Sequence, residues 1–177
     1  TICITGSSGK TTLKEWAFKT LKEFKKSYRT FQNYNNEIGM PLTLANMPRN
    51  TEVCILELGM NSPGEIRRLS KIAHPDIAII TNTGSAHSAN FKDVKDIAEE
   101  KSEIFSFFKT NSIAMIPSES DYYDLMYKKA SKRTEKIYSF GYDKKSNLRI
   151  FKKNSIWKFS VLDEEIEFKK DISFINW

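Results

Sequence analysis

Ile2-Cys3-Ile4-Thr5-Gly6-Ser7-Ser8-Gly9-Lys10-Thr11-Thr12 decides the fold of this chain. A short apolar run gives way to two glycines three positions apart. Lys-Thr-Thr then opens a stretch in which Leu13, Trp16, Ala17, Leu21 and Phe24 recur at helical spacing. Strand, glycine turn and helix in that order form a unit suited to phosphate: glycines let backbone N–H groups converge on phosphate oxygens, and the helix N-terminus adds a favourable dipole. Lys10 supplies a cation and Thr11 a hydroxyl for Mg²⁺, so Gly6, Ser7, Ser8, Gly9, Lys10, Thr11 and Thr12 are the expected nucleotide-binding residues. The general pattern places a glycine at position 4, where Ile4 stands, so this loop is a variant. The competing reading is a tight strand-to-helix turn that merely contains Gly and Lys.

Outward from the loop, β-branched runs alternate with helical periods, the pattern of βαβ units and a parallel sheet. The runs are Ile2 to Thr5, Val53 to Leu58, Ile77 to Thr81 and Ile113 to Ile116. Helices are expected from Lys10, around Pro41, after Pro63-Gly64, from Asp93 to about Phe108 and near Tyr122 to Lys132, followed by a strand at Ile137 to Phe140. From Leu148 the pattern turns to short alternating runs, which read as an antiparallel meander. The expected fold class is α/β: a mostly parallel phosphate-loop sheet flanked by helices (1–145), with a small antiparallel β extension near the C-terminal end (146–177).

The 177 residues carry 28 Lys plus Arg against 22 Asp plus Glu, a net charge of +6, with 40% hydrophobic residues. That composition excludes a disordered tail or a disulfide scaffold, and no apolar run approaches the roughly 20 residues that span a bilayer. The positive charge is dispersed, with Lys outnumbering Arg and no aromatic-basic motif, so a solvated surface is expected rather than a nucleic-acid site. Cys3 and Cys54 sit in apolar runs as small buried hydrophobes, which points to a reducing, cytoplasmic setting and no cysteine metal cluster. The chain opens on Thr1 directly before an apolar run and stops at Phe174-Ile175-Asn176-Trp177, so both ends read as cuts from something longer.

Three polar residues stand in apolar settings. Glu57 closes the run Val53-Cys54-Ile55-Leu56, where an unpaired buried carboxylate would be expensive, and ligands of open α/β sheets sit at the carboxyl ends of strands. It is a candidate Mg²⁺ ligand, the alternative being an exposed strand-end Glu. His87 follows Ile77–Thr81 through Asn82-Thr83-Gly84-Ser85-Ala86, which brings it to the same sheet edge and makes it a candidate for a second metal. Lys101 falls within about 20° of Val94 on a helical wheel, amid Ile97, Ala98, Ile104, Phe105 and Phe108. An ammonium there must snorkel, pair with an anion or be chemically altered.

Five segments then carry a resemblance: Thr5-Gly6-Ser7-Ser8-Gly9-Lys10-Thr11-Thr12, Asn33-Tyr34-Asn35-Asn36-Glu37-Ile38-Gly39-Met40-Pro41, Glu57-Leu58-Gly59-Met60-Asn61-Ser62-Pro63-Gly64-Glu65-Ile66, Thr81-Asn82-Thr83-Gly84-Ser85-Ala86-His87 and Ala98-Glu99-Glu100-Lys101-Ser102-Glu103-Ile104-Phe105. In that order they resemble the central domain of the Mur ligases, most closely the members that add D-alanyl-D-alanine to UDP-N-acetylmuramoyl-tripeptide. The resemblance implies a three-domain, monomeric, cytoplasmic ligase of peptidoglycan precursor synthesis. Residues 1–177 would supply the central ATP-binding domain, with an N-terminal UDP-sugar domain and a C-terminal domain lying elsewhere. It implies ATP and Mg²⁺, with Lys10 on phosphates, Thr11 and Glu57 on one Mg²⁺, His87 on a second, and the stretch Asn33 to Asn36 as a loop near the γ-phosphate, Asn36 being its nucleotide-binding candidate. Lys101 would carry a CO₂ adduct, a carbamate facing Mg²⁺, and Lys10, His87 and Lys101 would form the catalytic set. Gln32 departs from the family by standing where a Gly usually precedes the Asn run, and Pro117-Ser118-Glu119-Ser120-Asp121 replaces an Asn-x-Asp segment.

Two other classes stay open from the residues alone. A related amide ligase would share the loop and use another acceptor or amine. A phosphate-loop NTPase acting as a binding or regulatory module would share the loop and perform no ligation.

Overall fold

Strands β1 (Ile2–Thr5), β2 (Ser27–Arg29), β3 (Val53–Glu57), β4 (Ile77–Ile80), β5 (Ile113–Pro117), β6 (Ile137–Gly141), β7 (Leu148–Lys153), β8 (Ile156–Val161) and β9 (Glu164–Glu167) form one sheet in the order β2-β3-β1-β4-β5-β6-β7-β8-β9. The computed structural model describes residues 1–84, 90–153, 156–162 and 164–167. Pairing is parallel from β2 through β7 and antiparallel for β7–β8 and β8–β9. Helices α1 (Lys10–Leu21), α2 (Gly39–Ala45), α3 (Glu65–Ala73), α4 (Val94–Ser102) and α5 (Tyr123–Ser131) connect the parallel strands, and a 3-10 turn, Glu103–Phe105, prolongs α4.

The expected architecture is present, with two differences, an added strand and the buried face of α1. Strand β2 is an addition: its Ser-Tyr-Arg is too short to show a period, and it exists because parallel pairing to Val53, Cys54 and Ile55 satisfies its backbone. The antiparallel extension is present and joins the same sheet, since Leu148 and Arg149 of β7 pair in parallel with Phe140 and Gly141 of β6. The last described strand of that extension is β9, and residues from 168 on lie outside the described residues. In α1 the predicted apolar face is half right. The helix ends at Leu21, Phe24 lies beyond it at 77% exposure, and Trp16 is 49% exposed, whereas Lys14 is fully buried.

Side-chain alternation along the strands explains that difference. Ala78, Ile80, Ala114 and Ile116 join Ile66, Leu69, Ile97, Phe105, Met126 and Ala130 in the main core, on the side covered by α3, α4 and α5. Ile79 and Met115 point to the other side, where with Leu13, Trp16, Ile150 and Phe159 they line an open apolar groove. Helix α1 covers β1, β2 and β3 on its own side and leaves β4 and β5 to that groove. Both cysteines are buried and free, and burial pushes their thiols up, that of Cys54 to about 11, as expected of small core hydrophobes. Among the described residues no helix is long and apolar enough to cross a membrane.

The strand order reverses at β1. The chain leaves β1 for β2 and β3 on one side and reaches β4 on the other, so the loop after β1 opens at the switch point where open α/β sheets bind ligands.

One polar cluster ties α3 and α5 to the end of α4. Glu103 accepts from Arg67 (2.9 Å), Ser106 (2.5 Å) and Lys129. Burial alone would raise its carboxyl, but these three donors outweigh it and hold it at about 2 against an ordinary 4.5. A carboxyl depressed in the folded state stabilises the fold above the unfolded value, and that contribution is lost as pH falls from about 4.5 towards 2. Urea unfolding of the wild type should therefore lose up to roughly 1.4 kcal/mol per pH unit across that window. Glu103→Gln, less stable at pH 7, should show a flatter acid limb; equal acid slopes in both proteins would refute the assignment.

Candidate active site at the phosphate loop

Gly9 caps α1 from the left-handed region (φ 77°), and no side chain caps the amides of the helix's first turn, which leaves them directed at the loop mouth. Gly6 is held at φ 153°, where a Cβ would run into the Thr81 side chain. The β4 exit backs the loop closely. Thr81 Oγ1 donates to the Ser8 carbonyl (2.6 Å), and Asn82 Oδ1 accepts from the amides of Ser7 and Ser8 (3.0 Å each). Ser7 Oγ bonds the backbone of Gly84 (2.8 Å). Lys10 folds back so that its Nζ donates to the Gly6 carbonyl (2.7 Å). Burial pushes its ammonium below the usual value, with Glu57 pulling the other way.

Glu57 stands at the end of β3, 2% exposed. Its Oε1 accepts from Asn35 Nδ2 and its Oε2 from Thr11 Oγ1, both at 2.9 Å, while Lys14 Nζ lies 3.4 Å from Oε2. Its backbone N–H donates to Thr30 Oγ1 at 3.0 Å. Asn35 is aimed by the Gly59 amide, which donates to the Asn35 carbonyl (2.8 Å). A Cβ on Gly59 would come within 2.8 Å of the Asn35 carboxamide. The structure thus puts Asn35 against the candidate metal ligand. Asn36 turns the other way, its Oδ1 accepting from Ile38 (3.1 Å) and Gly39 (2.8 Å) at the start of α2. Lys14 is not among the candidates read from sequence, and Asn35 is there only as part of the Asn33 to Asn36 stretch, with Asn36 singled out in its place. The signal that finds them is the need of a buried carboxylate for donors on both oxygens.

Lys101 is 1% exposed in α4, as its wheel position predicts. Burial, then the charge of Lys10, lowers its ammonium to about 7, with Glu100 opposing. Glu100 itself accepts from the amides of Gly64 (2.8 Å) and Ile66 (2.9 Å), which binds α4 to the N-terminus of α3 and sets the register of Lys101. His87 lies outside the described residues. The segment 117–121 reaches the same edge: Ser120 Oγ bonds Thr83 Oγ1 (2.7 Å), and Glu119 accepts from the amides of Tyr142 and Asp143. Asn82, Thr83, Pro117, Glu119, Ser120 and Tyr122 line a cleft beside the phosphate loop.

Thr11 Oγ1 and Glu57 Oε2 form a pair of hard oxygen donors at the mouth of an amide-rich loop, a donor set that fits a phosphate-borne Mg²⁺. Gly6→Ala should cost on the order of 1–3 kcal/mol in stability and remove nucleotide binding, read by thermal midpoint and by titration with a fluorescent ATP analogue. Unchanged binding in the variant would show that Gly6 does not shape a phosphate site.

The profile of the Mur ligase middle domain matches residues 4–174. The UDP-N-acetylmuramoyl-tripeptide--D-alanyl-D-alanine ligase of Buchnera aphidicola subsp. Baizongia pistaciae is 42% identical over 147 residues, 83% of this chain and 32% of that protein. MurF from Acinetobacter baumannii superposes with a TM-score of 0.85 at 29% identity, over 93% of this chain and 37% of its own. MurF of Thermotoga maritima, crystallised with ADP, gives 0.81 at 32% identity, over 93% of this chain and 39% of its own. The chain spans about a third of the length of these relatives. With a profile match over nearly its whole length and a closely superposing fold, the chain belongs to the Mur ligase middle domain family.

Proposed function

We propose that the protein is an ATP-dependent amide ligase of peptidoglycan precursor synthesis, adding D-alanyl-D-alanine to UDP-N-acetylmuramoyl-tripeptide. This chain serves as its nucleotide-binding domain, and other domains hold the UDP-sugar and the incoming amine. The observation that carries the reading is the Thr11–Glu57–Asn35 node set against the phosphate loop at the switch point of the sheet. The printed function of the relatives supplies the substrate class. The acceptor's carboxylate is a poor electrophile. Its oxygen takes the γ-phosphoryl group of ATP with release of ADP, and the amine of the dipeptide then displaces phosphate from the acyl phosphate to form the amide.

Positioning and electrostatics carry such a transfer. The amides of the loop and the α1 N-terminus orient the phosphates, and Lys10, released from the Gly6 carbonyl, meets charge building on the transferring group. Thr11 and Glu57 would hold a Mg²⁺, which offsets phosphate charge when bound. His87 is the proposed ligand of a second ion. Lys101, buried in the apolar stripe of α4, is the proposed site of a carbamate: its neutral amine adds to CO₂, forms an N–C bond and releases a proton, which turns a buried cation into an anion facing the metal.

Phosphate release from Mg-ATP by the complete protein, over a matrix of UDP-muramoyl-peptide acceptors and amine donors, tests the assignment. Release is expected only with the tripeptide acceptor and D-alanyl-D-alanine together, and Lys10→Ala should abolish it with an unchanged thermal midpoint. Release with another pair would reassign the substrates, and release with none would leave a nucleotide-binding module. Lys101→Ala should lose activity by on the order of 100-fold or more, with partial recovery on adding short carboxylic acids that stand in for the carbamate. No recovery, together with an unmodified Lys101 in a crystal structure, would remove the carbamate.

A further inference from the structure

Lys14 has no part in the phosphate loop, yet it is the most buried residue of α1, with its side chain at 0% exposure. Its Nζ donates to the Gln32 carbonyl (2.9 Å), lies 3.4 Å from Glu57 Oε2 and 3.6 Å from Glu15 Oε1. Gln32 is in the left-handed region (φ 45°), a conformation that a non-glycine residue adopts at a cost, and its carbonyl is thereby turned to the lysine. Burying an ammonium is costly, and a residue needed for packing alone could be a methionine of similar length. The cation is therefore placed for its charge, and the carboxylate oxygen it faces is the one that Thr11 also touches.

We propose that Lys14 is the fixed counter-ion of Glu57, a positioning residue that keeps free divalent metal out of the site until nucleotide phosphates arrive. The inference rests on the phosphate-loop reading above. Lys14 from within and Lys10 from the loop mouth set two positive charges around one buried carboxylate, while Glu15, the other carboxylate near Lys14, is paired with Arg29 (2.9 Å). A bare divalent cation approaching Glu57 meets net positive charge at short range. A triphosphate reverses the sign, so the metal enters on the phosphates with Thr11 and Glu57 completing its shell. Because Lys14 is anchored on Gln32 as well, it holds Oε2 in place for Thr11 while the site lacks metal.

The test counts bound Mn²⁺ by the loss of its free paramagnetic signal, using the complete protein without nucleotide and then with the β,γ-imido analogue of ATP. The wild type should bind Mn²⁺ weakly alone and tightly with the analogue. Lys14→Met should bind Mn²⁺ alone about tenfold tighter or more, the scale set by removing a unit charge about 4 Å from the carboxylate. Lys14→Arg should stay at the wild-type value, and Glu57→Gln added to Lys14→Met should cancel the gain. A folded Lys14→Met protein, checked by circular dichroism, that binds Mn²⁺ no tighter than wild type overturns the inference and leaves the site reading standing if the wild type binds the analogue. Failure of the wild type to bind the analogue overturns both. Should Lys14→Met not fold, wild-type Mn²⁺ binding as tight without the analogue as with it overturns the proposal, and a tenfold or greater gap supports it.

Discussion

A single buried carboxylate organises this domain. Glu57 is carried to the end of β3 by an apolar run that leaves no water to solvate it, so every donor it needs must come from protein. Asn35 arrives from the loop after β2, Thr11 and Lys14 from successive turns of α1, and Thr30 holds the backbone of Glu57 from the end of β2. Three segments distant in sequence are thus locked to one strand end, and their lock is the floor of the candidate nucleotide site. Thr11 and Lys14 stand three residues apart, which places both on one face of α1, so helix formation and site assembly are the same event.

The sheet order makes that lock useful. Because β1 lies between β3 and β4, the loop that follows it is walled by Glu57 on one side and by Thr81 and Asn82 on the other. Close approach on both walls depends on absent side chains: Gly6 admits Thr81, and Gly59 admits Asn35. The glycine at 9 has a different task, since its left-handed φ turns the chain into α1 with open space around it. Glycine therefore appears here for two physical reasons, proximity at 6 and 59 and backbone hand at 9.

Much of this was legible in the sequence, and the parts that were not have identifiable causes. The loop, the parallel strands and Glu57 were legible because their signals are local: a glycine turn between a strand and a helix, apolar runs, and a charge inside one. Lys101 was legible because a helical wheel converts spacing into a face. Strand β2 was hidden because three residues carry no period and its pairing partner is 26 residues away in sequence. Asn35 could not be told from Asn36, since adjacent residues in a loop diverge according to contacts that only the fold supplies. Lys14 was hidden because a lysine near the start of an amphipathic helix reads as solvated, and helical spacing points to Trp16 and Phe24 for the burial that Lys14 takes.

Four donors of the loop have protein partners, and that shapes how a ligand would bind. The amides of Ser7 and Ser8 donate to Asn82, Lys10 to the Gly6 carbonyl and Thr11 to Glu57. A nucleotide that takes over these donors exchanges one set of hydrogen bonds for another, so the neutral exchanges contribute little net free energy. What does not cancel is charge: Gly6 O and Asn82 Oδ1 are neutral acceptors, whereas phosphate oxygens are anionic and make shorter, stronger bonds to the same donors. In the proposed site, discrimination in favour of phosphate would come from replacing neutral acceptors with charged ones where the amides and the Lys10 ammonium are already in place, so the loop would need little further ordering at the moment of binding.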